Sequence, residues 1–342
     1  MPADTEYERR LGFAVKALGR DALASHDTRR WQSAPDVSVS IAALHRIIEY
    51  VREAGIRMYR ISSDFVPYAT HPDMPQFHRQ IEDNAPALAS VGEVASAAGI
   101  RLSLHPSQYV VLNAKDEGIL VKTLWDLDSQ ARLLDTMRQG PDAVVVLHVG
   151  GVYGDKPSAL ERFVAGYERL TEPARRRLVI ENDEAHFSVR DCLWVHERVG
   201  VPVVFDHQHH RLNRGGMEVV EAARAALATW PAGVVPKVHF SSPRLDGREV
   251  KRGKSLAVEA PLLRQHADYI DPWTFADFMD ALHDTPFDVM LEAKGKDLAL
   301  LKLRRDLTAL GFAHVLRARP AASVQAAPRA PMSPSGAPSG AP

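Results

Sequence analysis

The feature that most constrains this chain is an alternation. Short apolar runs rich in leucine and β-branched residues take turns with longer amphipathic stretches, eight times over. The strand candidates are RLGFAV (10–15), RMYRISS (57–63), RLSLHP (101–106), AVVVLHVGG (143–151), RLVIEND (177–183), VPVVFDHQH (201–209), PKVHFSS (236–242) and FDVMLEAK (287–294). Strands buried on both faces read this way, as near-continuous hydrophobic runs. Between them, SIAALHRIIEYVREAG and ALASVGEVASAAG have helical period and close on a glycine. DLDSQARLLDTMRQG repeats that design, and EVVEAARAALATW does so without the glycine. Strand then helix, eight times, predicts an α/β protein of the (β/α)8 TIM-barrel class. An open doubly wound sheet would alternate likewise. Eight units favour closure, and no Gly-x-Gly-x-x-Gly follows the first strand as a dinucleotide fold would require.

With 342 residues, 45% of them hydrophobic, the chain can bury a large core. The barrel is expected to occupy residues 1–317. The Ala, Pro, Ser and Gly of 318–342 cannot bury enough apolar surface to fold and predict a disordered tail. A single cysteine, Cys192, excludes an internal disulfide framework and suits a reducing compartment. Its polar, helical context gives it no reactive role. No apolar stretch is long enough to span a bilayer, and MPADTEYERR lacks a signal-peptide core. A soluble, cytoplasmic monomer with no membrane partner is expected.

The strand ends carry the chemistry. The third strand ends on His105 and the fourth on His148. The fifth ends on Glu181, the sixth on Asp206 with His209 beyond it, the seventh on His239 and the eighth on Glu292. The loop after the second strand, FVPYATHP, carries His71. In a barrel all of these meet at the C-terminal rim, where active sites of this architecture lie. One histidine at a strand end is ordinarily a hydrogen-bonded loop residue. Six consecutive strands ending in a ligand-type side chain predict a cluster of divalent metals. The histidine content is too high for magnesium alone and suits manganese or zinc, with more than one ion.

Lys237 faces the same way as His239, because side chains alternate along a strand. A buried, unpaired ammonium is costly, so Lys237 either meets carboxylates or is modified to carry negative charge. Net charge is −1, so a polyanionic partner would need a local patch. Basic residues do gather in the rim loops. They are His210, Arg211 and Arg214 after the sixth strand, Arg244, Arg248, Lys251, Arg252 and Lys254 after the seventh, and Lys294 and Lys296 after the eighth. Three such loops beside one metal rim point to a phosphate-rich substrate. Gln108 and Tyr109 follow His105. An amide and an aromatic ring can wedge into or stack on bases, or simply pack on the rim.

In these stretches, above all LHPSQY, HVGGVYGDK and ENDE, the chain resembles the UV damage endonucleases, relatives of endonuclease IV. Matching stretches run from about residue 10 to 300. The resemblance implies an enzyme that cuts damaged double-stranded DNA immediately 5′ of pyrimidine dimers, 6-4 photoproducts and some abasic sites. It implies up to three divalent ions, typically Mn2+. His71, His105, His148, Glu181, Asp206, His209, His239, His266 and Glu292 match metal ligands; strand-end reasoning alone does not reach His266. Lys237 matches a carboxylated lysine, and Gln108 and Tyr109 match residues that probe the duplex opposite the lesion. Glu181, Glu292 and Lys237 are the expected catalytic residues, with Arg211, Arg248, Lys251 and Arg252 on DNA. Two departures fall beside the expected lesion: Phe13 stands where tyrosine is common, and Ala17 near a position that is commonly asparagine. The rival readings are an abasic-site endonuclease, a metal-dependent sugar isomerase and a non-catalytic damage binder.

Overall fold

The computed structural model describes residues 6–21, 23–253 and 255–319, with backbone alone over 248–252. Eight strands form one parallel sheet. They are β1 (Leu11–Ala14), β2 (Met58–Arg60), β3 (Arg101–Ser103), β4 (Val145–His148), β5 (Leu178–Glu181), β6 (Val203–Asp206), β7 (Lys237–Phe240) and β8 (Asp288–Leu291). Their order is β3-β2-β1-β8-β7-β6-β5-β4. A parallel bridge between Leu104 and Val145 joins the two outer strands and closes the ring. Leu104 donates to Val144 O and Val146 donates to Leu104 O, both at 3.0 Å. The predicted barrel is therefore the observed one, with each strand inside its predicted run.

A helix follows each strand. These are α1 (Val37–Glu53), α2 (Ala85–Ala97), α3 (Glu117–Thr136), α4 (Lys156–Glu168), α5 (Val189–Val199), α6 (Val219–Leu227), α7 (Pro272–Ala281) and α8 (Lys296–Ala309). Their starts are written in side chains: Asp36, Asp116, Asp155 and Asp271 each accept a first-turn N–H. Gly55 and Gly99 take left-handed φ of 64° and 66° past α1 and α2, as their sequences predict. After α3 the expected glycine, Gly140, has no such role. The left-handed turn falls on Arg138, φ 54°. The chain turns early because Gln139 buries its amide on Gly92 O and Met137 O, at 3.0 and 2.9 Å.

Strand alternation sorts the barrel into two layers. Leu11, Phe13, Tyr59, Leu102, Leu147, Ile180, Phe205 and Phe240 pack outward with the helices in one continuous core. Val144, Val146, Val179 and Val204 form a separate inner cluster with Trp230. Strands β4 to β7 then carry their inward faces up to His148, Glu181, Asp206 and His239. Phe13 is thus corrected from the expectation that it lies by a lesion. It is fully buried in the outer layer, edge-on to Tyr59 at 5.4 Å between centroids. Its inward neighbour is Gly12, where a Cβ would sit 2.8 Å from Met58. Ala17 is buried in the same core as Phe13.

Two other expectations change. The domain extends past 317, because Tyr7–Glu8 pairs antiparallel with Arg317–Ala318, and Ala318 is buried. The tail from 320 onward lies outside the described residues. The basic loop after β7 is a hairpin, Arg248–Arg252 against Ser255–Glu259. No helix of the described residues is long and apolar enough to cross a membrane.

Candidate metal centre at the barrel rim

Three overlapping groups of side chains gather at the C-terminal rim: His105, His148 and Glu181; Glu181, Asp206 and His209; Asp206, His239 and Glu292. Within each group the donor atoms lie within 4.8 Å of one another. Glu181 belongs to two groups and Asp206 to two. Carboxylates shared in this way suit ions spaced roughly 3.5–4 Å apart. Glu181 is the hub. Its Oε2 lies 3.1 Å from His105 Nε2 and 3.7 Å from His148 Nε2, and its Oε1 lies 2.8 Å from His239 Nδ1 and 3.8 Å from His209 Nδ1.

The residues fit a bound cation on two counts. His105 Nδ1 donates to Pro106 O at 3.0 Å, so a neutral ring presents a lone pair from Nε2 to the Glu181 carboxylate. Two lone pairs facing each other at 3.1 Å repel, so either a second proton on the ring, which makes it a donor to Glu181, or a bound cation must stand between them. In addition, Asp206 Oδ2, His148 Nδ1, His239 Nε2 and Lys237 Nζ are buried with no hydrogen-bond partner among the described residues. Buried polar atoms are rarely left so.

Neighbouring groups hold these side chains in place. Asp206 caps the short helix His207–Leu212, accepting from His209 N at 2.7 Å. Asn182 is fully buried and ties β5 to β6: its Nδ2 donates to Asp206 O at 3.1 Å and its Oδ1 accepts from Asp206 N at 2.9 Å. Its carbonyl accepts from His209 Nδ1 at 3.0 Å, which leaves Nε2 free to ligate. Arg60, at the end of β2, pairs with Glu292 Oε1. Sequence reasoning missed both Asn182 and Arg60. The strand-end rule applied to histidine and acids alone reached neither, although Arg60 ends its strand just as they do.

The electrostatics are those of a crowded acid–imidazole cluster. Burial raises the Glu181 carboxyl, but the imidazoles of His239 and His148 and hydrogen bonds from His105 and His239 outweigh it and hold it well below its ordinary value. Burial pushes Asp206 up to about 7, against the pull of His209 and with the help of Glu181 and Glu292. Burial lowers His209, yet Asp206, Glu181 and Glu292 carry it up to about 9. His239 is lowered to about 4 by burial. Burial, then Arg101 and Arg60, hold the Lys237 amine well below its ordinary value. Of the two expectations for Lys237, pairing with carboxylates is not observed: among the described residues its Nζ has no hydrogen-bond partner.

His266 sits beside the third group, its Nδ1 3.9 Å from Glu292 Oε2. A bridge between His266 and Pro243 brings it there from a loop, which is why strand-end reasoning did not reach it. His71 is not brought into any of the three groups. It lies on the β2 loop, accepting from Asp73 N at 3.3 Å and set against the Tyr68 ring. Gln108 and Tyr109 do not pack on the rim. Both are exposed and border a groove whose lining includes His148. Arg211 is exposed on the rim. Arg248, Lys251 and Arg252 lie on the hairpin, their side chains outside the described residues, as is Lys254 entirely.

A closed (β/α)8 barrel with buried histidines and carboxylates meeting at its C-terminal rim defines a class of protein, the TIM barrels built to hold divalent metal in their active end. Within that class the chain belongs to the UV-endonuclease UvdE family, whose model matches residues 24–320. A UV DNA damage endonuclease of Bacillus velezensis is 33% identical over 269 residues, 78% of this chain and 79% of that protein. The crystal structure of SacUVDE superposes with a TM-score of 0.75 at 30% identity, covering 89% of this chain and 99% of that one. A putative xylose isomerase from Rhodospirillum rubrum has a TM-score of 0.56 at 12% identity over 88% of this chain and 99% of its own, a likeness of fold alone.

Proposed function

We propose that this chain is a metal-dependent DNA endonuclease that hydrolyses the phosphodiester backbone at UV lesions in double-stranded DNA. The observation that carries the reading is the set of three donor groups sharing Glu181 and Asp206, in a member of this family. The finer reading is incision immediately 5′ of pyrimidine dimers and 6-4 photoproducts, and at some abasic sites. Mn2+ is the proposed ion, up to three of them, and the proposed setting is a cytoplasmic monomer.

His105, His148, His209 and His239 with Glu181, Asp206 and Glu292 would hold the ions, with His266 and His71 as outer ligands. Divalent cations held there would supply Lewis acidity toward phosphoryl oxygens and would lower the pKa of water toward neutral. The chain's own groups do the positioning. Arg60 pins Glu292, and Asn182 fixes the Asp206 backbone and the His209 ring. Lys237, without a partner for its Nζ, is the proposed site of carboxylation, which would turn an orphaned amine into an anionic group facing the cluster. Gln108 and Tyr109 would fill the gap left when damaged bases leave the stack, an extrusion eased by their poor stacking. Arg211 and the hairpin residues Arg248, Lys251 and Arg252 would meet phosphates.

A nicking assay tests the reading. UV-irradiated plasmid should be cut and intact plasmid spared, with added Mn2+ and not with chelator. Equal cutting of both plasmids would remove lesion specificity, and no cutting of either would remove the nuclease. 13C NMR of the folded protein equilibrated with 13C-bicarbonate reads the carboxylation, as a carbamate carbonyl signal that Lys237→Arg should remove.

A further inference from the structure

The hairpin Arg248–Arg252 against Ser255–Glu259 is rooted in the metal centre. Its two arms are clamped on either side of His266. Arg244 N donates to Gln265 O at 2.9 Å, Ala267 N donates to Ser242 O at 2.8 Å, and Pro243 bridges His266 itself. From that root five residue pairs run out to a two-residue turn. Gly253 leads the turn with φ 63°, the tight reversal that suits twisted antiparallel strands. At strand rise the five pairs make a ribbon of about 17 Å, the length of about five base pairs of duplex.

The ribbon has an inner and an outer face. Along its second strand exposure alternates: Ala257 and Glu259 are half-buried, whereas Leu256 and Val258 are 72% and 77% exposed. These two aliphatic residues stand on one face, two positions apart, opposite Lys251 and Glu249 in register. A Cβ on Gly247 would lie 2.8 Å from Val258 Cγ1, so the valine has its place because position 247 is glycine. A two-stranded ribbon gains no stability of its own by turning aliphatic side chains to water. Such a face, beside a polar centre, marks a binding surface.

Charge and position say what it binds. Residues 244–259 hold five lysines and arginines against three acids, in a chain of net charge −1. The ribbon therefore suits a polyanion, and it springs from the edge of a centre that takes duplex DNA on the reading above. Leucine is among the side chains that enter between base steps from the minor groove, unstack them and kink the duplex.

We infer that the hairpin is a minor-groove ribbon and that Leu256, backed by Val258, is an apolar wedge that kinks the duplex flanking the lesion. The inference rests on the endonuclease reading. Leu256 is a positioning residue: it acts through the shape of the DNA and touches no reacting atom.

The test uses the full chain with Mn2+, a duplex carrying one pyrimidine dimer and a FRET pair at its two ends, and the variant Leu256→Asn. For the FRET reading Glu181→Gln is added to both proteins, so that the strand stays whole. Binding should shorten the end-to-end distance, and Leu256→Asn should lose most of that change. With Glu181 restored, Leu256→Asn should lower kcat/KM on the dimer duplex roughly 10- to 150-fold, the worth of burying one leucine side chain. Leu256→Phe, another wedge-forming side chain, should keep both signals. A duplex already kinked by an adenine bulge beside the dimer should restore Leu256→Asn to near wild type, because the deformation is made in advance. Melting temperature should not move, since the side chain is exposed.

Unchanged FRET and kcat/KM in Leu256→Asn would overturn the wedge, and so would an equal loss on straight and kinked duplexes. Unchanged FRET with a shift in the chain's own sedimentation would overturn it by giving the face to a second copy. Wild-type incision in those cases leaves the endonuclease reading standing. A wild-type chain that neither bound nor cut dimer DNA would overturn that reading, and the wedge with it.

Discussion

At the N-terminal end of the barrel, buried charge is matched. Asp288 Oδ1 accepts from Tyr7 Oη at 2.6 Å and Arg10 N at 2.9 Å, and its Oδ2 accepts from Arg101 Nη1 at 2.9 Å. Arg101 also donates to Asp142 O at 2.8 Å and to Val235 O at 3.0 Å. At the C-terminal end, within one barrel length, Glu181, Asp206 and Glu292 crowd together with lone pairs and ring nitrogens left over. Both ends bury carboxylates in low dielectric. One end neutralises Asp288 with guanidinium and hydroxyl donors, with Arg101 Nη2 left over; the other pairs Glu292 with Arg60 and surrounds Glu181 and Asp206 with imidazoles that can also be ligands. The difference separates a network that closes the fold from one that awaits a cation.

That contrast can be broken most decisively at Glu181. Glu181→Gln should cut incision by more than about 100-fold, beyond the usual cost of losing an outer partner of a metal ligand. Folding stability should fall far less than incision does, because the amide keeps an oxygen to accept from His239 and gives up only the carboxylate's charge. Incision assays beside urea denaturation check both. Large destabilisation with activity retained would make the rim a structural network like its opposite end.

Asp288→Asn inverts the expectation. It strands the fully buried Arg101 and should cost about 3–5 kcal/mol of stability, with metal uptake by the folded protein unchanged. Denaturation midpoints and metal titration measure the two. Arg60→Met gives a smaller effect that sharpens the comparison. It keeps the fold and frees Glu292, and metal affinity should fall about 10- to 100-fold.

The smallest effect falls on the surface. Replacing Arg248, Lys251 and Arg252 with glutamine should lower the log–log salt slope of DNA binding by about 2.7 if each meets one phosphate. Melting temperature should not move. A slope that stays put would send the DNA past the hairpin to another face.

Much of this was legible without coordinates. Eight strand runs gave eight strands, and the ends of β3 to β8 gave the donors of all three groups, His209 among them just past β6. Parallel strands in a closed ring all finish on one rim, so a periodic reading along the chain becomes a reading of one surface. The same alternation that turned Lys237 inward could have turned Phe13 outward. Placing Phe13 required the parity of β1, a four-residue strand whose four side-chain positions are all buried, so no polar face marks its inward side.

What the sequence determined by itself is the local grammar: strand and helix periods, capping aspartates, and which residue types stand at the strand ends. Only the tertiary structure decided the pairings. Leu104 meets Val145 to close the ring, Arg60 meets Glu292 across 232 positions, and Pro243 brings in His266 from a loop. It also decided that Glu181 and Asp206 are shared, that Lys237 Nζ has no hydrogen-bond partner among the described residues, and that Tyr109 and Tyr153 border one groove. The physical reason is one of range. Periodicity and capping act over a few bonds, whereas donor separations of a few ångströms between distant segments depend on barrel closure and register, which no local stretch specifies.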